Sequence, residues 1–200
     1  MRRLIFIALF LLCVLAPAGA LPVAEQAGGT ATVAEPSGKG AAEVRVLIIP
    51  AEFSDIKFTL SREGFKDIVD EAEKYWKDQC PDWQFEFYVA PKVSLSRTRV
   101  YYGGNDFHGS DYHPDEFVRD ACTLSASVDF GHFDADGDGL VDHLIVFYPD
   151  RDEADDPVLN ADCLWSQAWH LSESENGRWK SRDGVFVDTY ALVSELGKIL

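Results

Sequence analysis

The sequence predicts a mixed α/β (α+β) domain, a twisted sheet of mixed strand direction backed by two helices. Three stretches carry that expectation. Residues 44–49, Val-Arg-Val-Leu-Ile-Ile, are apolar and β-branched, as a central strand buried on both faces requires. Between residues 61 and 79, Phe65, Ile68, Val69, Ala72, Tyr75 and Trp76 recur at helical spacing, and their aromatic stripe reads as core. Residues 83–89 then alternate, with Trp83, Phe85, Phe87 and Val89 on one face and Gln84, Glu86 and Tyr88 on the other, the period of a half-buried strand.

The first strand is expected to stop at Pro50, which has no N–H to give a ladder. Ser61 is placed to cap the first helix, and Pro81 lies just beyond its end. Residues 101–113 are polar and turn-rich, with Gly103, Gly104 and Gly109. Pro114 then opens a second helix whose inner face holds Phe117, Val118, Ala121, Cys122 and Leu124. Residues 144–148, Leu-Ile-Val-Phe-Tyr, read as a buried strand. An acidic loop follows over 150–162, then two strand candidates, 164–169 and 184–193, joined by a polar turn over 172–177. Residues 194–200 are largely apolar, without a cap or a polar tail, so either the segment packs as it is or the chain stops inside a domain.

Residues 1–20 read as a secretory signal peptide: Arg2 and Arg3, an apolar run from Leu4 to Leu15, and Ala18-Gly19-Ala20 as the cleavage site. The run is short for a membrane span, which takes about 20 residues, so no stable membrane insertion is expected after cleavage. Residues 21–43 are rich in Ala, Gly, Pro and Glu and lack aromatics, as in a disordered linker or short pro-segment. Residues 44–200 form the expected folded domain. The chain holds 18 Lys and Arg against 34 Asp and Glu; without Arg2 and Arg3 the formal charge moves from −16 to −18. So acidic a protein is not expected to bind nucleic acid, and it suits secreted or extracytoplasmic surroundings that contain calcium. Cys80, Cys122 and Cys163 remain after signal removal, an odd number that leaves one thiol without a partner inside this chain.

Residues 134–142, Asp-Ala-Asp-Gly-Asp-Gly-Leu-Val-Asp, match the first nine positions of a calcium loop. Asp134, Asp136 and Asp138 can converge on one hard cation only if the backbone turns sharply, and Gly139 permits that turn. Leu140 offers its carbonyl oxygen, Val141 points into the core, and Asp142 binds directly or through a water. Position twelve is Ile145 instead of the bidentate Glu of a helix-loop-helix hand, so the loop is expected to feed a strand and to take its last ligand from elsewhere. The five histidines are His108, His113, His132, His143 and His170, and none has another four residues away. His108 and His113 read as solvated loop residues, and His132 and His143 flank the calcium loop, where either could bond a ligand carboxylate. No Gly-x-Ser-x-Gly elbow and no phosphate-binding glycine loop is present, and no pair of carboxylates stands out for sugar hydrolysis.

The order of residues 46–55 (Val-Leu-Ile-Ile-Pro-Ala-Glu-Phe-Ser-Asp), the 65–76 helix, Val128-Asp129-Phe130 running into the aspartate loop, and Leu164-Trp165-Ser166-Gln167-Ala168-Trp169 resembles the immune inhibitor A family of secreted zinc metallopeptidases, peptidase family M-six. The resemblance spans residues 44–200 and implies the N-terminal part of a zincin-like catalytic domain, lacking the zinc helix, with a protein or peptide substrate. The family's His-Glu-x-x-His motif, which binds zinc and activates water, does not occur in these 200 residues, so the resemblance transfers no catalytic residue and zinc belongs to a complete homologue. Glu195 lies where some members carry a Glu ahead of the zinc helix, and it reads here as a surface carboxylate. The expected function is the N-terminal portion of a secreted, calcium-stabilised zinc metallopeptidase, inactive alone. The alternative is a complete, non-catalytic, calcium-binding secreted module that binds a partner.

Overall fold

The computed structural model describes residues 43–197; the expected signal peptide and nearly all of the 21–43 linker lie outside the described residues. The elements in chain order are β1 (Glu43–Glu52), α1 (Arg62–Gln79), β2 (Gln84–Val89), β3 (Val93–Ser94), α2 (Arg99–Gly103), α3 (Pro114–Leu124), β4 (His143–Tyr148), β5 (Ala168–His170), β6 (Trp179–Lys180), β7 (Phe186–Val187) and β8 (Thr189–Ser194). The main sheet runs β2-β1-β4-β8-β5, and β3 pairs with β1 beyond the end of β2. All its pairings are parallel except that of the edge strand β5, which is antiparallel to β8. The fold is therefore mixed α/β with a mixed sheet and few helices. Strands β6 and β7 form a separate antiparallel pair.

The first strand runs through Pro50 instead of stopping there. The Ile48 carbonyl accepts the Ala90 N–H and the Glu52 carbonyl accepts the Leu95 N–H, so Pro50, two residues from each, turns its backbone to the same flank. There β2 has ended at Val89 and β3 has not begun at Val93, so the missing N–H falls in a gap between two partners. A proline is tolerated inside a strand where the ladder changes hands.

The alternation of β1 divides the core between two faces. Val44, Val46 and Ile48 pack with Phe65, Val69, Ala72 and Trp76 of α1, whereas Leu47, Ile49 and Ala51 pack with Tyr102 of α2 and Phe117, Val118 and Ala121 of α3. The two longer helices thus cover opposite faces of the sheet. Strand β4 follows the same rule: Ile145 and Phe147 face α1, with Phe147 edge-on to Phe65 at 4.7 Å, and Leu144, Val146 and Tyr148 face α3. Helix α1 starts where expected, the Ser61 Oγ accepting the Gly64 N–H at 3.1 Å. Tyr75, placed in the core by its spacing, is 42% exposed, and Leu124, at the last position of α3, is 51% exposed.

Two of the expected strands are shorter than their apolar runs. The backbone groups of Leu164 and Ser166 are taken by the preceding loop and a side chain instead of a strand ladder: the Leu164 carbonyl accepts the Glu153 N–H and the Tyr148 hydroxyl, and the Ser166 N–H donates to Asp152. Pairing begins only at Ala168. Residues 184–193 divide between two sheets, because the intervening Asp188 carboxylate is held by the Ser172 N–H and by Arg178. Strands β3 and β6 and helix α2, short pieces of two to five residues, carry no pattern long enough to read. Among the described residues no helix is long and apolar enough to cross a membrane.

Candidate metal centre

A 3₁₀ turn, Phe130–Phe133, buries Phe130 and Phe133 and delivers the chain to Asp134. Val141 is only 2% exposed and anchors the outgoing end in the core, as expected. The Asp142 N–H closes the base of the loop on the Phe133 carbonyl at 2.9 Å. On its outer side the Val141 N–H donates to the Phe186 carbonyl, and the Phe186 N–H donates to the Gly139 carbonyl, each at 2.8 Å. Gly137 and Gly139 have φ of 77° and 88°, the left-handed region that side chains with a Cβ resist. Between these fixed ends the backbone coils inward.

The coil brings one carboxylate oxygen each from Asp134, Asp136 and Asp138 within 4.8 Å of one another. The same carboxylates shape the loop: Asp134 Oδ2 accepts the Gly139 N–H, Asp136 Oδ1 accepts the Asp138 N–H, and Asp138 Oδ1 accepts the Leu140 N–H, at 3.0, 3.1 and 2.8 Å. Asp134 Oδ1 is buried and has no hydrogen-bond partner. Asp142 is placed differently, its Oδ2 accepting the Ala135 N–H at 2.8 Å, outside the trio. Burial raises its carboxyl above the ordinary value, the Ala135 N–H opposes this, and the charges of Asp136, Asp134 and Asp138 add to the rise. Leu140 bridges to Phe186, but a parallel bridge uses the groups of its neighbours, so the Leu140 carbonyl stays out of that pairing. Three converging carboxylates and an unpartnered buried oxygen suit a hard cation with oxygen ligands, and calcium fits this donor set.

Neither histidine beside the loop bonds a carboxylate of the aspartate trio. His132 Nε2 lies 2.9 Å from Glu86, and the Arg45 guanidinium donates to the His132 carbonyl. His143 opens β4 with its Nδ1 buried and unpartnered, and burial drives its imidazole down to about 4, so it stays neutral. His113, expected in solvent, is half-buried and stacks on Tyr101 at 4.4 Å.

Among the described residues the aspartate trio is the only group of three or more His, Cys, Asp or Glu with converging ligand atoms. No set of imidazoles or thiolates fits zinc there. Cys80, Cys122 and Cys163 stand apart as free thiols. Burial pushes Cys163 up to about 12 and Cys122 higher still, so neither is a ready nucleophile.

Several buried acids escaped the sequence reading. Glu195 is 1% exposed, not at the surface, and accepts from the Thr59 N–H, the Thr59 hydroxyl and the Leu60 N–H. It ties the approach to α1 to the end of β8. In the acidic loop, Asp152 is fully buried and Glu153 nearly so. Asp152 Oδ1 accepts the Ala154 and Ser166 N–H groups, each at 3.0 Å. Asp111 joins them from the segment before α3, with its Oδ2 accepting the Trp165 N–H. Burial pushes Asp111 up to about 7 against that N–H, with the charges of Glu153 and Asp152 adding to the rise. Arg99 pairs with Asp150 and Asp162 at the same end of the sheet. Composition marks this loop as acidic, and nothing local distinguishes its buried carboxylates from its solvated ones.

The chain matches no protein-family model and no curated protein.

Proposed function

We propose that this chain is the N-terminal part of a calcium-stabilised, exported zinc metallopeptidase of the immune inhibitor A type, with a zincin-like fold. The observation that carries the reading is the placement of the aspartate loop. It sits between the helix that covers one face of the sheet and β4, the strand lying between β1 and β8, so calcium bound there would fix the entry to the middle of the sheet. The edge of that sheet is suited to a peptide. Among the described residues β5 has a partner on one side only, runs antiparallel to its neighbour, and leaves Trp169 51% exposed. An extended peptide added at such an edge gains main-chain hydrogen bonds, with aromatic side chains beside it for apolar contact. Zinc, held by residues outside this chain, would supply the activated water for peptide-bond hydrolysis in the complete protein.

The intact mass and peptide map of the natural secreted protein test the reading. A mass well above 22.3 kDa, a His-Glu-x-x-His peptide following Leu200, and casein cleavage blocked by a zinc chelator are the expected results. A product ending at Leu200 that neither retains zinc nor cuts casein overturns it. The alternative reading is an exported calcium-binding module that binds a partner without cleaving it. Both readings require a calcium-dependent thermal midpoint, so a midpoint indifferent to excess chelator removes the calcium site from each.

A further inference from the structure

The segment before α3 and the acidic loop after β4 come together at Asn105, Asp111 and Glu153, each of which carries a buried oxygen without a hydrogen-bond partner. Asn105 and Asp111 face each other in an antiparallel bridge. The Asn105 amide nitrogen donates to Glu153 Oε1 at 2.5 Å, and the Glu153 and Asp111 carboxyls lie within hydrogen-bonding reach of each other. Asn105 Oδ1, Asp111 Oδ1 and Glu153 Oε2 are all buried and unpartnered, and Glu153 is only 2% exposed. Asp152, on the adjoining residue and fully buried, adds negative charge beside Asp111 and Glu153. Arg99 is engaged by Asp150 and Asp162 and so does not neutralise the group.

Unpaired buried acceptors and adjacent buried carboxylates each cost free energy unless something positive sits between them. A proton shared by Asp111 and Glu153 answers for two of the three oxygens and leaves the Asn105 oxygen bare. A cation answers for all three. We infer that Asn105 Oδ1, Asp111 Oδ1 and Glu153 Oε2 are ligands of a second divalent-cation site, separate from the aspartate loop and filled by calcium. Two carboxylates and an amide carbonyl form a hard, all-oxygen donor set. Calcium takes six to eight oxygens, so the ion would draw further oxygens, of protein or water, into its shell on binding. The bound ion would join residues 105–111 to residues 150–153, and through the Trp165 N–H on Asp111 it would steady the approach to β5. The inference does not depend on the peptidase reading.

Calcium bound per chain, measured by equilibrium dialysis with metal analysis on the full chain at neutral pH, tests it. The wild type is expected to bind two equivalents, and D136N/D138N and D111N/E153Q one each. Because D111N/E153Q alters buried residues, the milder N105A serves beside it and should weaken the second equivalent at least tenfold while leaving the first unchanged. A single equivalent in the wild type, lost completely in D136N/D138N, means a shared proton only and overturns the inference. So does a second equivalent that N105A leaves unaltered.

Discussion

The aspartate loop and the 150–164 loop are both acidic, both border β4, and use their carboxylates in opposite ways. In the first, alternate aspartates bring an oxygen each toward a common point, and the same carboxylates accept the loop's own N–H groups. In the second, Asp152 and Glu153 are sunk into the protein, and Asp152 takes up N–H groups from Ala154 and from Ser166 across the loop. The contrast teaches that an acidic run has no single physical meaning. One run is organised by a spacing of two residues, the other by what the chain folds over it.

Substitution should separate the two. The largest loss is expected for Asp152→Ala, which strands the Ala154 and Ser166 N–H groups. At 1–3 kcal/mol for an unmet buried donor, a loss of about 3 kcal/mol is expected in urea unfolding, with or without calcium. Asp138→Ala should behave in the opposite manner, costing stability only when calcium is present. Calcium at a hundredfold excess over its Kd contributes about 2.7 kcal/mol, so chelation should lower the wild-type thermal midpoint by roughly 5–10 °C. The variant should lose the part of that response that belongs to the aspartate loop. Gly139→Ala, forced to φ near 88°, should cost about 1 kcal/mol in either condition and weaken calcium binding as well.

A third buried acid sharpens the comparison through its pH dependence. Glu52 is 3% exposed; burial works to raise its carboxyl, but the Lys92 hydrogen bond, the Phe58 N–H and the charges of Lys92 and Lys57 outweigh this and hold it below its ordinary 4.5. A carboxyl lowered on folding contributes stability above its unfolded pKa and loses it as pH falls through the folded value. Wild type should therefore lose stability on acidification below about 4.5, and Glu52→Gln should flatten that part of the curve in urea titrations at successive pH values. Ser61→Ala should have a small effect, about 1 kcal/mol, read by the same unfolding assay.

The same division governs what could be read without coordinates. Long periodic patterns gave α1, α3, β1, β2 and β4, because those elements bury one stripe or both faces along their own length. The clustering of Asp134, Asp136 and Asp138 was legible for a related reason: the three are neighbours in sequence. Strand ends were not, since Pro50 is tolerated because of where β2 and β3 begin and end, and Leu164 is kept from pairing by Tyr148 and Glu153. Asn105, Asp111 and Glu153 come from separate loops, and Glu195 looks like any other charged residue near the end of a strand. Each is functional or structural only by virtue of a distant partner.

The Glu195 clasp has a kinetic consequence. Its carboxylate meets Thr59 across 136 residues of chain, and it can close only after β8 has docked beside β4. Parallel pairing of β1, β4 and β8 likewise joins segments far apart in sequence, so loop-closure entropy is met before the contacts that offset it. Such topologies lie at the slow end of two-state folding, in milliseconds to seconds. Until residues 189–195 arrive, the apolar flank of β4 has no strand to cover it, so a chain emerging from its N-terminus collapses late, as a single event.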